Sequence, residues 1–169
     1  MAFGIDLYWH EEPMRSETKA GDGREAPDLF GLQRFVEAQR SAYGRALSEL
    51  RQGAKQSHWM WYIFPQLRGL GQSAMSQKYG IASLEEARAY LAHPALGPRL
   101  IECTKAALDA GKASASGIFP YPDDLKFHSS MTLLAQAAPE PNVFSAALRK
   151  YFGGELDRET LRLLQRHAQ

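Results

Sequence analysis

Two segments of this 169-residue chain concentrate side chains that can do chemistry. The first spans residues 55–80 and reads KQSHWMWYIFPQLRGLGQSAMSQKYG. It places large rings beside a few polar groups, as in the lining of small-molecule pockets, although each ring taken alone is equally typical of a core. Its ligand-binding candidates are Lys55, His58, Trp59, Trp61, Gln66 and Ser73. Strict alternation would put Trp59 and Trp61 on one side, and Pro65 ends a run that fits either a strand or a short buried helix.

The second segment, PDDLKFHSSM at residues 122–131, crowds carboxylates, a lysine and two serines together. Aspartates in a first helical turn are usually caps, and a nearby lysine is usually solvated. A carboxylate near a helix start can also orient water while a lysine balances charge, which is the chemistry of general acid–base catalysis. The catalytic candidates are Asp123, Asp124 and Lys126, and the ligand-binding candidates are Ser129 and Ser130. We expect the two segments to line one cavity.

Other chemistries have weaker signals. No H-E-x-x-H motif or Cys/His pair has metal-ligand spacing, and no G-x-S-x-G motif is present, so we predict no metal and no cofactor. The lone cysteine, Cys103, falls on an apolar helical face and is predicted to be buried. The stretch RGLGQS at residues 68–73 is a weak phosphate-loop signal and is equally typical of an ordinary turn.

Capping signals predict the helices that position these segments. Ser83, Asn142 and Asp157 each precede an apolar pattern of helical period. Asp28 is a candidate cap for a first helix, with a second helix possible from about Ser41. We predict a mainly α fold: a single compact domain of about six helices over residues 28–169, with little or no sheet. Residues 1–27 are predicted to be a weakly packed extension.

Composition agrees with one globular domain. Apolar residues make up 44% and charged residues 23% of the chain, which is close to the average for soluble domains. The net charge of +1 is too small to indicate duplex nucleic-acid binding. No apolar run could span a membrane, the N-terminus does not resemble a secretory signal, and one cysteine excludes an internal disulfide. We therefore expect a cytoplasmic protein that does not bind membranes.

Several motifs taken together resemble a known family. They are LQRFVEAQ, SHWMWYIFPQLRGLG, SxxSxxYG, HPxLGPRL and DDLKFxSSM, spread over about residues 28–166. The chain closely resembles the bacterial domain-of-unknown-function family 1810, the so-called calpastatin-like family. That name implies no activity.

A second, fainter resemblance is to the NADAR (YbiA-like) family of helical proteins tied to NAD and ADP-ribose chemistry. The segments FVEAQ at 35–39 and AYLAHPAL at 89–96 are similar to its early and middle helices, and residues 123–131 lie where its last motif lies. The glutamate of that family's Ser-Glu-His motif has no counterpart, Gln33 lying nearest, and its Trp-Gly pair is absent. The resemblance implies a YbiA-like fold and pocket.

These observations and the second resemblance lead to one functional expectation with two alternatives. The leading hypothesis is an N-glycosidic hydrolase of ADP-ribose or NAD-derived conjugates, in which a carboxylate stabilises an oxocarbenium-like transition state. Trp59 and Trp61 would stack on the base or ribose, and a modified nucleic-acid base is a further candidate ligand. The alternatives are a non-catalytic nucleotide-binding module and a protein-interaction domain that exposes the patch Trp59–Phe64. The oligomeric state is left open.

Overall fold

The computed structural model describes residues 26–168, and helices dominate this range. The described residues form eight α-helices, and two of them, α2 (Met60–Ile63) and α3 (Ala74–Tyr79), are too short to give a periodic apolar pattern, so the expected number of about six is two too low. A 3-10 turn at Ala115–Gly117 precedes α6, and the described residues contain no sheet, only one parallel bridge between Leu67 and Ile81. The bounds are α1 Gln33–Arg51, α2 Met60–Ile63, α3 Ala74–Tyr79, α4 Leu84–Ala92, α5 Leu96–Asp109, α6 Asp123–Ala137, α7 Val143–Phe152 and α8 Arg158–His167.

The mainly helical single domain is confirmed. Most of the predicted extension, residues 1–25, lies outside the described residues. Within residues 26–168, none of the helices combines the length and the apolar character that a bilayer crossing requires.

The three capping signals are confirmed in atomic detail. The Ser83 hydroxyl accepts a hydrogen bond from the backbone N–H of Glu86 at 3.1 Å. Asn142 Oδ1 accepts one from the third residue of α7 at 2.8 Å, and Asp157 Oδ2 accepts one from the third residue of α8 at 2.9 Å. Each side chain satisfies a backbone donor that has no partner inside its helix, which is why these helices begin where local sequence places them.

The first helix differs from the prediction. It runs without a break through Ser41, so the possible second helix is wrong. Asp28 lies five residues before the first residue of the helix, yet its carboxylate accepts backbone N–H groups of Leu32 and Gln33 at 2.7 and 2.9 Å. Asp28 thus caps α1 from a preceding turn.

Helix α6 lies at the centre of the domain, packed against α4, α7 and α8, while α1 packs against α5 and α2. The core beneath the start of α6 is aromatic. The ring of Phe127 stacks on Phe119 at 4.5 Å and meets Phe64 edge-on at 5.0 Å. This cluster anchors the first turns of α6 against Phe64, the residue that follows α2.

The chain between α2 and α4 folds into a closed loop that carries α3. Arg68 N–H donates to the carbonyl of Ile81, and Ile81 N–H donates to the carbonyl of Gln66, both at 2.8 Å. Gly80 makes the closure possible, because a Cβ there would lie 2.7 Å from the Ser76 carbonyl oxygen and 2.9 Å from Arg68 Cβ. The loop is therefore held as one compact unit beside the first turns of α6.

Candidate functional site

A cleft of about 320 Å³ opens between this loop and the helices α6 and α8. Its volume lies at the lower end of the range of small-molecule sites. The two segments singled out in the sequence meet here, as expected. The cleft is lined by Trp61, Gln66, Leu67, Leu70, Gly71, Ser76, Tyr79, Gly80, Pro122, Leu125, Lys126, Ser129, Asp157 and Glu159.

Lys126 provides the cleft with an ammonium group of defined position. Its Nζ lies 3.0 Å from Asp123 Oδ1 and 4.7 Å from the centroid of the Trp61 ring. The Lys126 side chain is 24% exposed, so its ammonium is fixed by Asp123 and the Trp61 ring and is still accessible to a ligand. An ammonium has three donors, and Asp123 takes one of them. Lys126 can therefore donate to a bound anion.

Asp123 holds two lysines at once. Its Oδ2 lies 2.6 Å from Lys55 Nζ, whose side chain is only 7% exposed and which also donates to the Ser57 carbonyl at 2.7 Å. Burial raises the pKa of Asp123, but hydrogen bonds and charge from Lys55 and Lys126 outweigh it and lower the pKa below its ordinary value. The group of three carries a net charge of +1, so its field favours an anionic ligand.

The remaining walls offer rings, hydroxyls and carboxylates. Trp61 is half-buried, and Tyr79 is buried with its ring packed edge-on against Tyr62 at 5.3 Å. Ser129 Oγ donates to the Leu125 carbonyl at 3.1 Å and keeps its acceptor capacity. Asp157 caps α8 through Oδ2, while no hydrogen bond to its Oδ1 occurs among the described residues.

Trp59 is not part of the cleft, and its predicted stacking role is wrong. The residue is 1% exposed, and its indole Nε1 donates to Glu49 Oε2 at 2.8 Å. Trp59 precedes α2 and Trp61 lies within it. Helical winding turns two residues apart by about 200°, so the two rings diverge instead of sharing a side.

The predicted interaction patch Trp59–Phe64 is mostly buried. Met60, Ile63 and Phe64 are each at most 2% exposed, so only Trp61 and Tyr62 in that segment reach the surface. The protein-interaction alternative required an exposed patch of rings, and these residues instead form core.

Four other candidates lie away from the cleft lining. His58 is exposed in a separate depression with Arg45 and Tyr62, and Ser73 caps α3 by accepting the backbone N–H of Ser76 at 3.1 Å. Asp124 accepts the adjacent Leu125 N–H at 2.9 Å and does not line the cleft. Ser130 is fully buried, and its Oγ has no hydrogen-bond partner among the described residues.

The prediction therefore placed Trp61, Gln66, Lys126 and Ser129 in the cleft, with Asp123 and Lys55 directly behind it. It missed Tyr79, Asp157 and Glu159 as lining residues. Asp157 carried a sequence signal as a helix cap, and only the packing of α8 beside α6 shows that the same residue borders the cleft. Glu159 pairs with Arg162 on the surface of α8.

No group of three His, Cys, Asp or Glu side chains among residues 26–168 is arranged to hold a metal ion. Cys103 is fully buried, as predicted, and burial raises the pKa of its thiol to about 12. The chemistry available in the described site thus rests on Lys126, its partner Asp123, the Trp61 ring and the carboxylate of Asp157.

Comparison with known proteins shows the family. A family described as "Protein of unknown function (DUF1810)" matches residues 29–164. The chain belongs to this family. It is also similar to the conserved hypothetical protein Rv1873 from Mycobacterium tuberculosis, whose crystal structure superposes with a TM-score of 0.80 at 54% identity, covering 82% of this chain and 99% of that one.

No curated protein matches the chain. The matches support the first family resemblance and give no support to the NADAR resemblance.

Proposed function

We propose that this member of the DUF1810 family binds a nucleotide-like small molecule of the ADP-ribose type in the cleft between the α2–α4 loop and helices α6 and α8. One observation carries the proposal: the Lys126 ammonium is held 4.7 Å from the Trp61 ring inside a cleft of about 320 Å³. A cation beside an accessible aromatic surface complements a phosphate attached to a planar base.

The charges support an anionic ligand. The almost fully buried Lys55 pairs with one oxygen of Asp123 and Lys126 pairs with the other, so the Lys126 ammonium keeps two of its three donors for a ligand. The two lysines and Asp123 together carry a net charge of +1. Lys126 is the more exposed of the two lysines, and it lines the cleft. A phosphate oxygen placed there gains a charge-assisted hydrogen bond, which is worth about 1.5–3 kcal/mol.

The other walls suit the rest of a nucleotide. The half-buried Trp61 ring offers a stacking surface, and stacking a base on an aromatic side chain is worth about 1–3 kcal/mol. Gln66 and Ser76 line the same cleft and provide hydrogen-bonding groups, and Oδ1 of Asp157, which accepts no hydrogen bond among the described residues, can accept from a ribose hydroxyl. A cytoplasmic setting, expected from the lone cysteine, is part of this proposal.

Hydrolysis of an N-glycosidic bond is the second candidate, and the position of Asp157 favours it over a purely passive site. In that reaction a water oxygen bonds to the anomeric carbon, the C–N bond breaks, and the base leaves with the electron pair and one water proton. Asp157 would orient the water and stabilise the oxocarbenium-like charge, and Lys126 would hold the diphosphate. Asp123 then acts as a positioning residue for Lys126.

The test is calorimetric titration of the full chain with ADP-ribose, NAD, AMP and adenosine. Lys126→Met should weaken binding of the phosphorylated ligands by about 10- to 100-fold and leave adenosine unchanged, since one charge-assisted hydrogen bond is lost. Lys105→Met, which removes an exposed lysine on α5, is the matched control and should bind like the wild type. Equal binding by both variants, or no binding by the wild type, contradicts the proposal.

Turnover separates the two candidates. The same variants and Asp157→Asn are incubated with ADP-ribosylated base, nucleotide and protein substrates. A hydrolase should lose about 10²–10⁴ in rate on Asp157→Asn with little change in ligand affinity, because general-base assistance acts in the transition state. Ligand binding by the wild type without any turnover assigns the binding-module function instead.

A further inference from the structure

A second concavity, an apolar groove of about 550 Å³, is lined by residues other than those of the cleft. Its walls come from α4, α5, the end of α6 and the start of α7, and Leu91, Ile101, Val143 and Phe144 contribute apolar surface to it. Ile101 is 36% exposed, which is high for a large aliphatic side chain in a groove. Burying this surface under another chain segment would be favourable by roughly 25 cal/mol per Å² covered.

Two cations border the groove. Arg88 on α4 and Lys105 on α5 are both exposed, and neither has an ion-pair partner among the described residues. An occupant that is apolar at its centre and acidic at its end would match this arrangement.

The chain itself contains such a segment. We propose that residues 3–12, FGIDLYWHEE, bind in this groove of their own chain, with the aromatic and aliphatic side chains against Ile101 and Leu91 and the glutamates beside Arg88 and Lys105. Residues 1–25 carry six acidic and three basic side chains, so the segment is acidic as well as locally apolar. The family match begins only at residue 29, so this segment is an addition to the shared domain.

The described chain starts near enough for the segment to reach. Asp28 caps α1, and Arg34 in the first turn of α1 donates to Glu86 of α4 at 2.6 Å. Leu91, in the groove, lies only five residues further along α4, a rise of about 7.5 Å. The thirteen residues 13–25, which connect the bound segment to the described chain, can span up to about 43 Å when extended, so they are long enough to reach along α4 to the groove.

Binding within the chain is favoured over binding to a second copy by effective concentration. A short flexible connection presents a segment to its own groove at about millimolar concentration, far above that of other copies in a dilute solution. The inference is independent of the proposed ligand cleft, because the groove and the cleft share no lining residue.

The test is fluorine NMR of the full chain with 5-fluorotryptophan at its three tryptophans. Trp9→Phe identifies the Trp9 resonance, and the buried Trp59 provides an internal check that the core is folded. We expect Trp9 in the wild type to resonate away from its position in a synthetic peptide of residues 1–16. In the double variant Arg88→Glu/Lys105→Glu it should move most of the way to the peptide position. Arg40→Glu, an exposed cation on α1, should leave it unchanged.

Ile101→Gln probes the apolar contact separately and should shift Trp9 in the same direction. The proposal is overturned if Trp9 in the wild type already resonates at the peptide position. It is also overturned if the wild-type shift disappears on dilution, since that result assigns the groove to a second copy of the chain. A shift that the groove variants leave unchanged would equally refute it.

Discussion

Replacing Glu49 by Gln should destabilise the fold, because it changes one oxygen of a buried, hydrogen-bonded carboxylate into an amide nitrogen. Glu49 is 7% exposed, and its two oxygens accept four hydrogen bonds. The donors are the Ser57 hydroxyl at 2.5 Å, the Trp59 indole at 2.8 Å, and the backbone N–H groups of Gln56 and Ser57 at 2.8 and 3.1 Å. An amide nitrogen cannot accept, so Glu49→Gln turns one oxygen position from acceptor into donor.

The magnitude follows from the pKa of Glu49. Burial raises this pKa, but the hydrogen bonds from Ser57, Gln56 and Trp59 outweigh burial and lower it from 4.5 to about 2. Each unit is worth about 1.4 kcal/mol, which gives about 3 kcal/mol for the preference of the fold for the ionised form. We expect Glu49→Gln to lower the free energy of unfolding by about 2–4 kcal/mol at pH 7.

The direction in which this stabilisation changes with pH follows from the lowered pKa of Glu49. The pKa of Glu49 in the folded protein lies below 4.5, so its stabilisation is fully present above about pH 5 and is lost as the pH falls towards 2. The difference in unfolding free energy between the wild type and Glu49→Gln should therefore shrink across this interval. Above pH 5 the difference should be constant.

Urea unfolding followed by circular dichroism at pH 7, 5, 4 and 3 measures these differences. Glu37→Gln is the matched control, because Glu37 is exposed on the same helix and should change the unfolding free energy by less than about 0.5 kcal/mol. A decrease in unfolding free energy below about 1 kcal/mol for Glu49→Gln at pH 7 would refute the reasoning. A difference from the wild type that does not change with pH would also refute it, because a buried carboxylate with four donors requires both a large loss and a pH dependence.

Two further substitutions and one reactivity test probe the packing. Gly97→Ala should cost about 1–3 kcal/mol in urea unfolding, because a Cβ there would lie 2.0 Å from the Leu91 carbonyl oxygen and force α4 and α5 apart. Gly44→Ala, with open space around the position in α1, should instead stabilise the folded protein by about 0.5–1 kcal/mol. Equal changes in unfolding free energy for the two variants would contradict the close contact between α4 and α5 at Gly97. Cys103, whose pKa burial raises to about 12, should react with a thiol reagent only as fast as the protein unfolds, and rapid labelling of the native protein would show otherwise.

Local sequence determined where three of the eight helices in the described residues begin. Ser83, Asn142 and Asp157 each bond a backbone N–H three residues ahead, and this interaction needs no other part of the chain. The burial of Cys103 was also predictable, because helical periodicity alone places it on an apolar face. The mainly helical character of the domain follows from these local signals.

The tertiary structure decided which residues of the functional segments share a site. Alternation put Trp59 and Trp61 together, but α2 is a helix, and its winding sends Trp59 to Glu49 in the core and Trp61 to the cleft. A four-residue helix is shorter than the window needed to recognise its period, so its sequence could not be distinguished from a strand.

The two aspartates at the start of α6 also differ through tertiary packing that local sequence does not encode. Asp123 and Asp124 are identical in type and adjacent, and the sequence made both of them candidates for the catalytic carboxylate. Two lysines distinguish them: Lys126 Nζ lies 3.0 Å from Asp123 Oδ1, and the buried ammonium of Lys55, 68 residues earlier in the chain, lies 2.6 Å from Asp123 Oδ2. A charge partner so distant in sequence is set by packing of the core, and no local pattern encodes it. The caps were predictable because each is a local hydrogen bond, whereas the cleft depends on contacts between separate segments of the folded chain.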